Sequence, residues 1–160
     1  MMKRRVLFTL GYEGATVPDF LRALRTAGVE VLADVRAVAH SRRQGFAKTA
    51  LRLHLSEAGV RYWHIPALGN PKPGREAAWS GDTARFRSIF RAHLRTAAAA
   101  EALEALAAEA AESSVCLLCL EADPSQCHRA MVASALAAAH GFEVRHLSVS
   151  AADAWVAAAA

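Results

Sequence analysis

Between positions 119 and 129 the chain reads Cys119-Leu120-Glu121-Ala122-Asp123-Pro124-Ser125-Gln126-Cys127-His128-Arg129. Two thiols, a carboxylate, an imidazole and a guanidinium share this short stretch, a density that core packing alone does not require. The apolar run Val115 to Leu120 ends here in a polar turn, and the spacing predicts that a helix begins inside it. Asp123 reads as the N-cap, Pro124 as the first helical residue, and Gln126 sits where a capping box places its second partner. Cys127 is then expected near the end of the first turn, where free N–H groups and the helix dipole favour a thiolate. With His128 and Arg129 beside it, its pKa should fall below the free value of about 8.5.

Further groups of this kind lie earlier in the chain. Asp34-Val35-Arg36 follows an apolar run directly. An acid at a strand end can orient an arginine, act as a base or cap the next loop. Arg36 and Arg129 are expected to bind an anion, with Arg43, Lys48 and Tyr12 as further candidates. Asp34 or Glu121 would handle protons, with His128 beside them. Cys116 reads as a small core hydrophobe, Cys119 as either core or site wall, and Cys127 as either a reactive thiol or an inert packed one. A zinc site is not expected. Residues three apart on a strand face opposite ways, which separates Cys116 from Cys119. Adjacent helical residues diverge by about 100°, which separates Cys127 from His128.

The elements that must position these residues alternate. Val6 to Leu10 reads as a strand ending at Gly11, and Thr16 starts a helix that Gly28 stops. Val29 to Val35 is a second strand, Ala47 to Ala58 a second helix, and Val60 to Ile65 a third strand. Pro66 to Gly81 reads as a long loop that could serve as a lid. Asp82 caps a long helical region to about Glu112, with a break near Thr96. The strand Val115 to Leu120, the helix Pro124 to His140 and the strand Glu143 to Val149 complete the pattern, and residues 150–160 form a tail with helical character. Alternation of nearly continuous apolar strands with helices predicts one α/β domain over residues 1–160, its core at 6–149. The expected sheet is five-stranded and mainly parallel, with helices on both faces. Right-handed crossovers would bring Tyr12, Asp34, Arg36, His64 and Glu121 to one edge.

Composition agrees. The 160 residues, 54% of them hydrophobic, suffice for one full core. No apolar run approaches the roughly 20 residues that cross a bilayer, and no secretory leader is read at the N-terminus, so a cytoplasmic protein without membrane contact is expected. Three cysteines, an odd number, argue against a disulfide framework. A net charge of +4 permits an acidic partner without demanding one. From Val35 to Ser56 there is no acid, while Arg36, Arg42, Arg43, Lys48 and Arg52 are basic and Phe46 could stack on a base, so nucleic acid stands beside an anionic small molecule as a partner. No cofactor is expected, and the oligomeric state is not legible.

Taken in order, Gly11-Tyr12-Glu13-Gly14, Asp34-Val35-Arg36, Ser41-Arg42 with Gly45-Phe46-Ala47-Lys48, Tyr62 with His64-Ile65-Pro66-Ala67-Leu68-Gly69, and Leu118-Cys119-Leu120-Glu121 with Cys127-His128-Arg129 form a specific set. The set resembles the bacterial and archaeal family called domain of unknown function 488, over about residues 6 to 149. That resemblance points to Tyr12, Asp34, Arg36, Arg43, Lys48, Cys119, Glu121, Cys127, His128 and Arg129; the family label carries no established activity. Where members often have Ser after Gly-Phe, this chain has Ala47. The chain is also similar in plan to rhodanese-type sulfurtransferases, but Leu120-Glu121 follows Cys119 where an anion-cradling loop should start. Three readings follow: an enzyme acting on an anionic substrate, a non-catalytic nucleic-acid-binding module, and a thiol redox sensor or rhodanese-like sulfurtransferase.

Overall fold

In a computed structural model, which describes residues 5–149 and 155–158, the chain folds around one sheet. Five strands lie parallel: β1 (Val6–Gly11), β2 (Val31–Asp34), β3 (Arg61–His64), β4 (Val115–Cys119) and β5 (Glu143–Val149). A sixth, β6 (Trp155–Ala158), pairs antiparallel with β5, giving the order β3-β2-β4-β1-β5-β6. The helices are α1 (Val17–Ala27), α2 (Lys48–Glu57), α3 (Lys72–Trp79), α4 (Thr83–Leu94), α5 (Ala97–Glu112) and α6 (His128–His140). The expected α/β domain is present.

Strand alternation divides the core in two. Leu7, Val31, Ala33, Val115 and Leu117 face α4, α5 and α6 through Phe86, Phe90, Leu106 and Leu136. Phe8, Leu10, Leu32, Cys116 and Leu118 face α1 and α2 through Phe20, Leu24, Leu51 and Leu55. Each face buries an apolar layer, which explains why the strands read as continuous apolar runs. Cys116 packs in the α1–α2 layer, and Cys119, three residues on, stands on the opposite side.

Three elements differ from expectation. The segment 66–81 is not an open loop: it holds a 3-10 turn at Pro66–Leu68 and then α3. Pro71 and Pro73 stand at the start of α3, where first-turn N–H groups have no intrahelical acceptor to lose. Gly74 sits inside α3 because a Cβ there would overlap the Asn70 side chain. The expected continuous helix from Pro124 is split, a 3-10 turn at Pro124–Gln126 preceding α6. Finally, the C-terminal tail carries strand rather than helix at Trp155–Ala158, where pairing to the edge of β5 overrides the helical preference of alanine; the rest of the tail lies outside the described residues.

The chain leaves β1 towards β2 by way of α1 on one face. It leaves β4 towards β5 by way of α6 on the other face. The neighbours β1 and β4 thus lead to helices on opposite faces of the sheet, the arrangement that places a crevice at the C-terminal edge.

Candidate active site

The floor of the crevice is a buried polar network. Asp34, fully buried, accepts Arg36 Nε on Oδ1 at 2.8 Å and Arg36 Nη2 on Oδ2 at 2.7 Å. It also accepts the Arg36 backbone N–H at 3.1 Å and the Tyr62 hydroxyl at 2.5 Å. The remaining Arg36 nitrogen, Nη1, donates to the Phe46 carbonyl at 2.7 Å and to the Tyr12 hydroxyl at 3.2 Å. Tyr12 in turn stacks on Phe46 with ring centroids 4.6 Å apart. Burial alone would discourage the charge on Arg36, but its bonds and attraction to Asp34 outweigh that and hold the guanidinium charged. Burial and the neighbouring Asp34 carboxylate push the Tyr62 hydroxyl upward, so it stays protonated and donates.

A second clamp fixes the loop after β4. Arg129 has no exposed surface; Nε donates to Thr9 Oγ1 at 3.1 Å, Nη1 to the Glu121 carbonyl, and Nη2 to the Ala122 carbonyl at 3.2 Å. Thr9 continues the chain to His146 Nδ1 at 2.6 Å. Because Thr9 already accepts from Arg129, its hydroxyl is free to donate, which favours a neutral His146. Burial and the Arg129 charge lower the His146 pKa. Gly11 lets the loop cross the end of β1, since a Cβ there would collide with the Glu121 backbone.

Held between the two clamps are two thiols, an imidazole and a carboxylate. Cys127 is the N-cap of α6 in extended conformation, φ −133° and ψ 143°, rather than a residue inside the first turn. That single difference removes the expected divergence of Cys127 from His128. Cys119 Sγ lies 3.6 Å from His128 Nδ1, and Cys127 Sγ lies 3.9 Å from the same nitrogen. The opposite ring nitrogen, Nε2, donates to the Val35 carbonyl at 2.6 Å, so Nδ1 turns towards the sulfurs. Glu121 Oε2 is 3.4 Å from Cys119 Sγ. The three donor atoms Cys119 Sγ, Cys127 Sγ and His128 Nδ1 lie within 4.8 Å of one another.

Electrostatics separates the thiols. Burial opposes ionisation of Cys127, but hydrogen bonds with Cys119 and His128 and the charge of Arg129 bring its pKa well below the ordinary value. Cys119, hydrogen-bonded to Cys127 and buried, is raised as its partner is lowered. Cys116 is raised by burial alone. Desolvation and then the Cys127 charge push Glu121 up to about 7. His128 is buried, yet its bond to Cys127 raises its pKa. The two thiols are thus driven apart, Cys127 towards the thiolate and Cys119 towards the thiol.

A cavity of about 220 Å³ opens on this cluster. Tyr12, Arg36, Cys119, Glu121 and His128 line it, together with Val38, His40, Asn70, Arg75 and Trp79. Trp79, 78% exposed, stands at the rim. Cys127, 3% exposed, does not line this cavity but a separate one, with Phe86, Arg91 and Met131. The candidate residues thus divide. Tyr12, Asp34, Arg36, Cys119, Glu121, Cys127, His128 and Arg129 gather at one edge. Arg43 sits apart, its Nε donating to the Ala15 carbonyl at 2.5 Å, and Lys48 is exposed at the start of α2. Asn70, Arg75 and Thr9 were not singled out by sequence. Thr9 carried a signal, being the polar residue in an otherwise apolar strand; Asn70 and Arg75 were hidden in a segment read as loop.

The model of the family described as Domain of unknown function DUF488 matches residues 16–136. The chain belongs to the DUF488 family. No curated protein and no solved structure matches it. The DUF488 match runs from the start of α1 into α6, and therefore takes in Asp34, Arg36, both site cysteines, Glu121 and His128; Thr9, Tyr12 and His146 lie outside it. No helix among the described residues is long and apolar enough to cross a membrane.

Proposed function

We propose that this chain is an enzyme acting on a small anionic substrate, with Cys119 as the nucleophile at the cavity wall. The observation that carries this reading is the placement of Cys119 Sγ between Glu121 Oε2 and His128 Nδ1, at 3.4 and 3.6 Å, on the surface of the cavity. A nucleophile beside a base that a third group orients is the general arrangement of covalent catalysis. Here the Val35 carbonyl orients the imidazole.

The substrate preference follows from charge. Arg75, His40 and Arg36 line the cavity along with the thiol. Glu121, half protonated near neutral pH, repels an anion less than an ordinary carboxylate would. Arg36 and Arg129 contribute mainly by holding the loops, because their donors are already engaged. In the reaction, the thiol proton passes to His128 and Cys119 Sγ attacks the electrophilic centre. The leaving group departs with the Glu121 proton; water then gives a proton to the carboxylate so formed and releases the transferred group from sulfur, and the freed thiolate takes its proton back from His128.

Alkylation by charged and neutral reagents tests this directly. In chelator-treated native protein, Cys119 should react with iodoacetate faster than with iodoacetamide, relative to a free thiol. Arg75→Ala and His40→Ala should abolish that preference. Cys119 labelled only after denaturation would sink the proposal.

A further inference from the structure

We infer that Cys119, Cys127 and His128 form a binding site for one zinc ion, and that zinc there silences the thiol chemistry. The inference rests on the reading of Cys119 as the reacting thiol and adds its regulation. Its basis is geometric. Zinc binds thiolate sulfur at about 2.3 Å and imidazole nitrogen at about 2.0–2.1 Å, so a tetrahedral ion holds such atoms roughly 3.6 Å apart. The observed separations from His128 Nδ1 are 3.6 Å to Cys119 Sγ and 3.9 Å to Cys127 Sγ. An ion placed at normal bond lengths would subtend roughly 110° and 125° at these pairs, close to tetrahedral.

The surroundings meet the second requirement of a metal site. A ligating histidine ordinarily donates its other N–H to a carbonyl or carboxylate, which fixes both tautomer and ring plane. His128 Nε2 does this to the Val35 carbonyl. The ligands are also held before any ion arrives: Cys119 ends β4, Cys127 and His128 begin α6, and Arg129 ties the intervening loop to β1 through Thr9. Two thiolates with one imidazole select zinc over calcium or magnesium, which want oxygen. The cavity at Cys119 is the entry path, and Glu121 Oε2, 3.4 Å from Cys119 Sγ, stands next to the fourth coordination position. With the ion bound, both sulfurs are committed as ligands and Cys119 cannot attack.

Cobalt substitution reads the site without any assay of activity. The full-length protein, reduced and freed of metal, should take up one equivalent of Co²⁺. The complex should show a thiolate-to-cobalt charge-transfer band and the intense visible bands of tetrahedral cobalt, and Zn²⁺ should bleach them. Cys116→Ser should leave the titration unchanged. Cys127→Ser should remove about half of the charge-transfer intensity, and His128→Gln should weaken binding by about a hundredfold or more, since even an outer partner of a ligand is worth 10–100-fold. One equivalent of Zn²⁺ should protect Cys119 from iodoacetamide. No saturable band in the wild-type protein, or an unchanged band in Cys127→Ser, overturns the inference, whether or not each variant folds. The two readings fail separately: a metal-free protein with a readily alkylated Cys119 loses only the zinc site, while a zinc-binding protein whose freed Cys119 stays inert loses only the nucleophile.

Discussion

Asp34 and Arg36, two residues apart in sequence, face each other through parallel hydrogen bonds of 2.8 and 2.7 Å. A strand would send i and i+2 to the same side, and β2 ends at Asp34, so the backbone turns to bring guanidinium back onto carboxylate. The pair is buried and fully bonded, which makes it costly to break from one side. Asp34→Asn and Arg36→Met should each lower unfolding free energy by about 3–5 kcal/mol, and the double variant should lose much less than their sum. Urea unfolding of the four proteins decides this. Additive losses would mean that the two groups do not depend on each other.

Arg129→Lys keeps the charge and discards the fork. A single ammonium cannot reach Thr9, Glu121 and Ala122 together, so stability should fall by about 2–4 kcal/mol. Cys119 should also become more open to iodoacetamide in the folded protein, because the Glu121 loop is no longer tied down. Unchanged stability and labelling would show that the clamp is dispensable.

His146 should make the protein acid-sensitive. Its folded pKa is lowered by burial and by Arg129, so the unfolded chain takes up a proton more readily than the folded one. Its contribution to stability is therefore complete above the unfolded value of about 6.5, and is lost as pH falls from there through the depressed folded value. In His146→Gln the fall in thermal midpoint between neutral pH and pH 5 should be shallower than in the wild type. An equal fall would remove His146 from the account.

Gly11→Ala should be damaging although the new group is one methyl. The added Cβ would meet the Glu121 carbonyl carbon and oxygen, which belong to backbone and cannot rotate away. We expect a loss of about 1–3 kcal/mol together with a slower rate of Cys119 alkylation or a changed preference between iodoacetate and iodoacetamide. A variant as stable as the wild type, with unaltered Cys119 reactivity, would show that the crossing is looser than drawn.

The sheet was legible because each strand is a short apolar run closed by a polar or glycine residue, and the candidate residues cluster at those closures. Asp34, Arg36, Glu121 and Cys127 could be picked by position alone. Their partners could not. The Phe46 carbonyl, Tyr62 and Thr9 reach the site through crossovers that local spacing does not encode. Cys127 was misplaced by about one full turn because Asp123, Pro124 and Ser125 serve a 3-10 turn as well as they serve an α-helix, and the choice lies with the loop's bonds to Arg129. In α3 the prolines that suggested a loop occupy the positions where a helix tolerates them best.

The bonds that define the site span long stretches of chain: Arg129 to Thr9 across 120 residues, His128 to Val35 across 93. Neither can form until the central parallel strands have come together, and closing such loops is the slow part of folding for sheets of this kind. A nascent or partly folded chain therefore carries Cys119 and Cys127 as ordinary thiols, with no imidazole in place and no cavity beside them. The reactivity proposed for Cys119 is in this sense a property of the finished molecule, and its appearance during refolding would mark the last event rather than an early one.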